Sequence, residues 1–138
     1  EIEKDILDLV SRVRLFAVVD TLKYLKMGGR ISGASAAVGS LLGIRPILAI
    51  ANGKVEAIGK ARGKASAYKE VLNHFLENEP DLNYHVVFGY TSAPDMMRAL
   101  MALFADHLDT TKALTAAIGS TVGTYAGPGA AGIAYIAK

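Results

Sequence analysis

No cysteine occurs among the 138 residues, which removes disulfides, thiolate nucleophiles and zinc knuckles together and fits a reducing cytoplasm. An excess of one charge is also missing. Fifteen Lys and Arg against 13 Asp and Glu leave a formal charge of +2, too small to imply nucleic acid or an acidic membrane surface by itself. The basic residues lack the interleaved aromatics that single-strand binding requires, so the charges read as a solvated surface of mixed sign. The chain opens Glu1-Ile2-Glu3-Lys4-Asp5, with no basic stretch leading into an apolar one, so no signal peptide is visible. Without an initiator Met, that opening reads as an excised or truncated segment.

One uncharged stretch, Ala113 to Ala137, is long enough to span a bilayer and carries Gly119 and Gly123 in a G-x-x-x-G pattern. Gly127, Pro128, Gly129 and Gly132 crowd its second half, each costing about 1 to 3 kcal/mol in a helix interior, so a transmembrane segment is rejected. What is present is the composition of a folded chain. With 51% hydrophobic and 20% charged residues, residues 1–138 suit one domain with a sizeable core.

Ile2, Ile6, Leu9 and Val13 recur at helical spacing among Glu3, Asp5, Asp8 and Arg12, so the first dozen residues read as an amphipathic helix whose apolar stripe needs a partner. Leu15 to Val19 is a short β-prone run. Asp20 is placed to cap a brief helix over Thr21 to Met27, which Gly28-Gly29 stops. Ser32 reads as the N-cap of a helix in which Val38, Leu41 and Leu42 share a face, ended by Gly43 and kept from resuming by Pro46. The strongest local signal is Asn52-Gly53 between Ile47–Ala51 and Lys54–Ile58, the composition of a tight hairpin.

Further on, Ala65, Tyr68, Leu72, Phe75 and Leu76 line a long helix that Pro80-Asp81 terminates, and Tyr84 to Tyr90 reads as a continuous apolar strand. Ser92 with Asp95 makes a capping-box-like helix start with Pro94 in its first turn, and Met97, Leu100, Met101, Phe104 and Leu108 supply the buried face. Leu114 to Ile118 and Ile133 to Ile136 close the chain as two strands around a glycine-rich loop. This order predicts an α/β (α+β) fold, a mixed sheet with a β-hairpin flanked by helices.

Most motifs dissolve on inspection. Gly127-Pro-Gly129-Ala-Ala-Gly132 satisfies G-x-G-x-x-G, but only six residues remain after it, leaving no room for the acidic ribose ligand of a dinucleotide fold. Gly59-Lys60-Ala61-Arg62-Gly63-Lys64 is one residue short of a phosphate loop and has Ala65 where a hydroxyl should stand. His74, His85 and His107 are scattered without metal-ligand spacing, so no metal site is assigned. No G-x-S-x-G elbow is present, and Glu70, Glu77, Glu79 and Asp81 sit where a solvated helix face and its exit would put them. Met96, Met97 and Met101 suit core packing or, as flexible thioethers, a surface adapting to a lipid tail. Gly28-Gly29-Arg30 is either a helix stop with a structural ion pair or a close backbone approach beside a guanidinium ready for a carboxylate or phosphate.

Four segments taken in order resemble one family: Leu22-Lys-Tyr-Leu-Lys-Met-Gly-Gly-Arg-Ile-Ser32, Leu41-Leu-Gly-Ile-Arg-Pro-Ile-Leu48, Gly59 to Lys64, and Ile118-Gly-Ser-Thr-Val-Gly-Thr-Tyr-Ala-Gly-Pro-Gly129. The chain is similar, along essentially its whole length, to the C-terminal half of DegV proteins, which include the fatty-acid-binding subunits of bacterial fatty acid kinases. The resemblance implies the C-terminal lobe of a two-lobed, non-enzymatic, cytoplasmic carrier that holds one long-chain fatty acid between its lobes. It further implies that the carboxylate is presented to a separate kinase catalytic subunit for acyl phosphate formation. No cofactor is implied beyond the bound fatty acid.

Carried over residue by residue, the family's G-T-x-x-G-P-G loop falls on Gly123, Thr124, Gly127, Pro128 and Gly129, whose amides would hold an anion. The arginine of G-G-R-I falls on Arg30, and the kinase-facing basic segment on Lys60 and Arg62. Tyr125 stands where many members have His, so a hydrogen-bond donor without positive charge replaces a group able to carry one. The resemblance implies that the family's N-terminal lobe is absent from the chain, which is therefore expected to bind fatty acid weakly or not at all by itself. Two other functions compete: a kinase-like or hydrolase domain using the glycine loop as a phosphate or oxyanion cradle, and a protein-interaction module working through Lys60, Arg62 and Lys64.

Overall fold

The computed structural model describes residues 1–30, 42–51 and 53–138. The helix expected after Ser32, with Val38 and Leu41, and the Asn52 corner of the hairpin lie outside the described residues.

Six strands form a mixed sheet: β1 (Val13–Val18), β2 (Ile44–Ala51), β3 (Lys54–Arg62), β4 (Val87–Tyr90), β5 (Leu114–Ala117) and β6 (Ala131–Ile136), in the order β3-β2-β1-β6-β4-β5. Neighbours run antiparallel except β4 and β5. That parallel pair needs a crossover, supplied by α4 (Asp95–Phe104). The other helices are α1 (Ile2–Arg12), α2 (Lys23–Met27), α3 (Lys64–Glu77) and α5 (Ser120–Ala126). The expected hairpin is β2 and β3, closed at the pair Ala51 and Lys54, with Gly53 at φ +71°, a conformation glycine adopts without penalty.

Strand alternation gives the sheet two different faces. Phe16, Val18, Ile47, Phe88 and Ile133 join Tyr68, Val71 and Phe75 of α3 and Leu100 and Phe104 of α4 in the main core. The Phe104 ring stands edge-on to Phe75 at 5.0 Å and to Phe88 at 5.3 Å, an arrangement that adds to its area burial. On the opposite face, Val19, Leu22, Leu25, Leu48 and Ala130 make a smaller cluster under α2 and α5. Among the described residues this thinner layer leaves part of the sheet uncovered.

Several local expectations shift. Asp20 does not cap α2, whose N-cap is Leu22; it pairs with Arg45, while the Thr21 hydroxyl accepts from the Lys23 amide at 3.2 Å. Pro46 lies inside β2, opposite Lys60 and next to the irregularity at Ile47 and Leu48, where a strand tolerates a missing N–H. The buried face of α3 runs through Ala67 and Val71 as well as Tyr68 and Phe75, leaving Leu76 46% exposed. β4 starts only at Val87, which pairs with Leu114 of β5 and Ala134 of β6. Ser92 takes φ +66° and makes no cap; α4 begins after Pro94. Met97 is buried, and Met96 and Met101 pack partly buried against the same core.

The glycine-rich segment between the last two strands is not a loop throughout: it contains α5, whose amides close on Gly119 and Gly123 carbonyls at 2.8 Å. The amphipathic α1 forms as expected, yet none of its residues is buried, and Ile2, Ile6, Leu7 and Val10 are each more than half exposed. Its last turn is tied down by Arg12, which donates to the Ala137 carbonyl at 2.8 Å and to Asp81 at 2.6 Å.

Candidate functional site

On the sheet face opposite α3 and α4, the short helices α2 and α5 are, among the described residues, the cover, and they lie over one end of the strands. A cleft of about 560 Å³ remains, floored by Leu15 and Ala17 of β1, Leu48 and Ile50 of β2 and Val55 of β3, and walled by α5 through Val122 and Tyr125. These are the residues that alternate away from the main core, so the cleft's apolarity follows from the pattern that builds the sheet. Among the described residues its only charged lining is Arg30 and Lys54. An apolar trough lined by two cations suits a long apolar molecule carrying one negative group.

The end of the cleft is built by a reciprocal contact between α2 and α5. The Tyr125 ring lies against Gly28, where any Cβ would overlap it, and the Tyr24 ring lies against Gly127 in the same way. Gly127 also takes φ +76°, which favours glycine independently of the contact. Arg30 rests over the Tyr125 ring, its guanidinium carbon 5.1 Å from the centroid, and donates through Nη1 to the Gly28 carbonyl at 3.0 Å. Arg30 and Tyr125 thus meet at one rim of the cleft.

The other assigned positions sit behind that rim. The Thr124 side chain is exposed on α5 and donates to the Ser120 carbonyl at 2.7 Å. Gly127 is buried, Pro128 exposed and Gly129 half-buried beside Met96 and Asp20. Thr91 holds the turn: its hydroxyl donates to the Gly127 carbonyl at 2.6 Å and accepts from the Ala130 amide at 2.9 Å, and its own amide donates to the Ala130 carbonyl at 3.0 Å. The Gly127 amide bonds to Gly123 at 2.8 Å. Pro128 has no N–H, so Gly129 carries the only amide from Gly127 to Ala130 that is not already bonded among the described residues. A cradle of several converging amides is not what this turn offers.

Lys60 and Arg62 are exposed at the C-terminal end of β3, and neither makes an ion pair among the described residues. Through the pairs Lys60 with Pro46, Ile47 with Val18 and Val18 with Ala131, that end of β3 lies at the same end of the strands as the Gly127–Gly129 turn. Three contributors escape sequence reasoning. Lys54 reaches the cleft because it follows the hairpin turn, Tyr24 because α2 places it over a glycine distant in sequence, and Thr91 because β4 ends beneath the turn; only Tyr24 lay inside a motif.

A family model described as an uncharacterised protein of the DegV family matches residues 1–138. The chain belongs to the DegV family. A DegV domain-containing protein of Caldanaerobacter subterraneus is 29% identical over 139 residues, covering 100% of this chain and 50% of that protein. Among solved structures, a fatty-acid-binding DegV family protein of Streptococcus agalactiae superposes with a TM-score of 0.83 at 27% identity, covering 99% of this chain and 49% of that one. A DegV family protein of Thermus thermophilus, described by its fatty acid binding, gives a TM-score of 0.80 at 31% identity, covering 98% and 49%. This DegV chain therefore spans about half the length of the relatives it matches. Among its described residues no helix is long and apolar enough to cross a membrane.

Proposed function

We propose that this DegV chain is the C-terminal lobe of a two-lobed fatty-acid carrier, and that its cleft holds the acyl chain against the sheet while a second lobe covers it. The observation that carries this reading is the cleft itself: an apolar sheet face left open, with Arg30 and Lys54 as its only charged lining among the described residues, in a family whose solved members include proteins described as binding fatty acids. Burying a dozen methylenes is worth about 10 kcal/mol gross at about 0.8 kcal/mol each. An open trough recovers only part of that, because one side of the chain still faces water. The half-length match supports the division of the site between two lobes.

The carboxylate opposes burial unless it is paired, and Arg30, at the rim beside Tyr125, supplies a cation for it. Lys60 and Arg62, at the same end of the strands as the glycine turn, are the surface proposed to face a separate kinase catalytic subunit that phosphorylates the presented carboxylate. In this scheme the chain binds and presents but performs no chemistry. The phosphate or oxyanion cradle of the competing reading is disfavoured by the Gly127 and Ala130 amides, which are already bonded.

Native mass spectrometry of the two-lobed protein isolated gently from cells tests the binding step. A copurifying mass of fatty-acid size is expected, and a clean ligand-free mass contradicts the proposal. Reversing Lys60 and Arg62 to Glu should then slow phosphorylation of the bound fatty acid by the kinase without unloading it; loss of the lipid would refute the division of labour.

A further inference from the structure

Tyr125 has two ways to act at the rim. Its hydroxyl can donate to an anion, or its ring can serve as a platform. The contacts favour the ring. One edge of it is seated on Gly28, at a separation that admits no side chain there, and Arg30 lies over the ring at 5.1 Å. Gly28 serves both residues at once, since its carbonyl also accepts the Arg30 Nη1 hydrogen bond at 3.0 Å. Among the described residues that bond uses one of the five guanidinium N–H groups, leaving four to turn toward a ligand. Arg30 and Tyr125 both line the cleft. The matching contact of Tyr24 on Gly127 braces the other side of the same helix pair.

We infer that Tyr125 is a positioning residue, an aromatic platform that holds the Arg30 guanidinium at the cleft rim, and that Arg30 is the group that selects a free carboxylate over an uncharged head of the same chain length. The inference rests on the fatty-acid reading and deepens it by assigning headgroup selectivity. A flexible arginine on an exposed rim loses side-chain freedom when it binds. Stacking on an aromatic face restricts the guanidinium before the ligand arrives and leaves its edge donors pointing outward. Tyrosine at position 125 then contributes through its ring, and the positive charge comes from its neighbour.

The test is a pair of titrations in the two-lobed protein, with palmitate and with hexadecanol, which share a chain and differ in the head. Wild type should prefer palmitate. R30M should lower palmitate affinity by about 10- to 100-fold, the range of a lost charge-assisted contact, and hexadecanol affinity by less than about threefold. Y125L should lower palmitate affinity by about three- to tenfold through loss of the platform, again with a smaller effect on hexadecanol. Y125F, which keeps the ring and drops the hydroxyl, should rescue the preference that Y125L loses. A Y125F protein as impaired as Y125L would overturn the inference in favour of the hydroxyl. Equal losses for both ligands in Y125L, or an undiminished palmitate preference in R30M, would overturn it as well. A wild type that binds neither ligand would defeat the fatty-acid reading and this inference together.

Discussion

Replacing Gly28 with alanine isolates the contact between α2 and α5, because the Gly28 backbone, at φ −83° and ψ −2°, accepts any residue. The added methyl group meets the Tyr125 ring directly. Overpacking of this kind costs about 1 to 3 kcal/mol, offset by about 0.4 to 1 kcal/mol from restricting the unfolded chain, so a net loss of about 1 to 2 kcal/mol is expected. Gly29 is the matched control. Its φ is +64° and among the described residues nothing lies within 4 Å of the point a Cβ would occupy, so alanine there is expected to carry the left-handed backbone cost of about 1 to 2 kcal/mol. Gly127 combines φ +76° with overlap of the Tyr24 ring, and G127A should cost about 2 to 5 kcal/mol. Urea denaturation of each variant gives these differences. The deciding measurement is G28A in a Y125A background: with the ring gone, the penalty should fall by at least about 1 kcal/mol, the coupling expected of touching residues. An undiminished penalty would refute the ring-on-glycine contact.

Thr91→Val should cost about 2 to 4 kcal/mol, because the Gly127 carbonyl and the Ala130 amide lose their buried partner; Thr91→Ser should recover most of it in the same denaturation assay. Asp81 accepts from the Asn83 amide and from Arg12, and these contacts hold its carboxyl below the usual value. Its stabilisation is therefore present above the unfolded carboxyl pKa near ~4 and disappears as pH falls through the lower folded value. D81N should flatten the loss of stability between about pH 5 and 2 measured by urea unfolding across pH. At the other limit, burial pushes the Tyr135 hydroxyl up to about 12. Its contribution is complete below the unfolded value near ~10 and fades as pH rises toward the folded one, so Y135F should flatten the alkaline limb.

The hairpin, the sheet-and-helix class and the family were legible because each rests on contiguous residues: a Gly53 turn, a β-prone run, an ordered set of motifs. What escaped depends on pairs distant in sequence. Nothing near Tyr84 announces that pairing begins only at Val87, opposite Leu114 of β5 and Ala134 of β6. The glycines in and around α5 argue against a helix by propensity, yet packing against α2 and the bonds among Gly119, Gly123 and Gly127 hold one turn after another. Leu76 belongs to the apolar stripe of α3 by spacing, but the small Ala67 is the residue that lets the helix approach the sheet. At the candidate site, the motifs identified Arg30 and Tyr125 separately. Their stacking, and the role of Gly28 beneath both, exists only once α2 and α5 are folded together.

The location of the acyl chain can be read most directly by photocrosslinking the two-lobed protein with a palmitate analogue carrying a diazirine near its methyl end, followed by peptide mapping. Adducts on the floor strands, at Leu15, Leu48, Ile50 or Val55, and on Val122 of α5 are predicted. Adducts confined to the α3 and α4 side of the sheet, or to the exposed stripe of α1, would contradict the account.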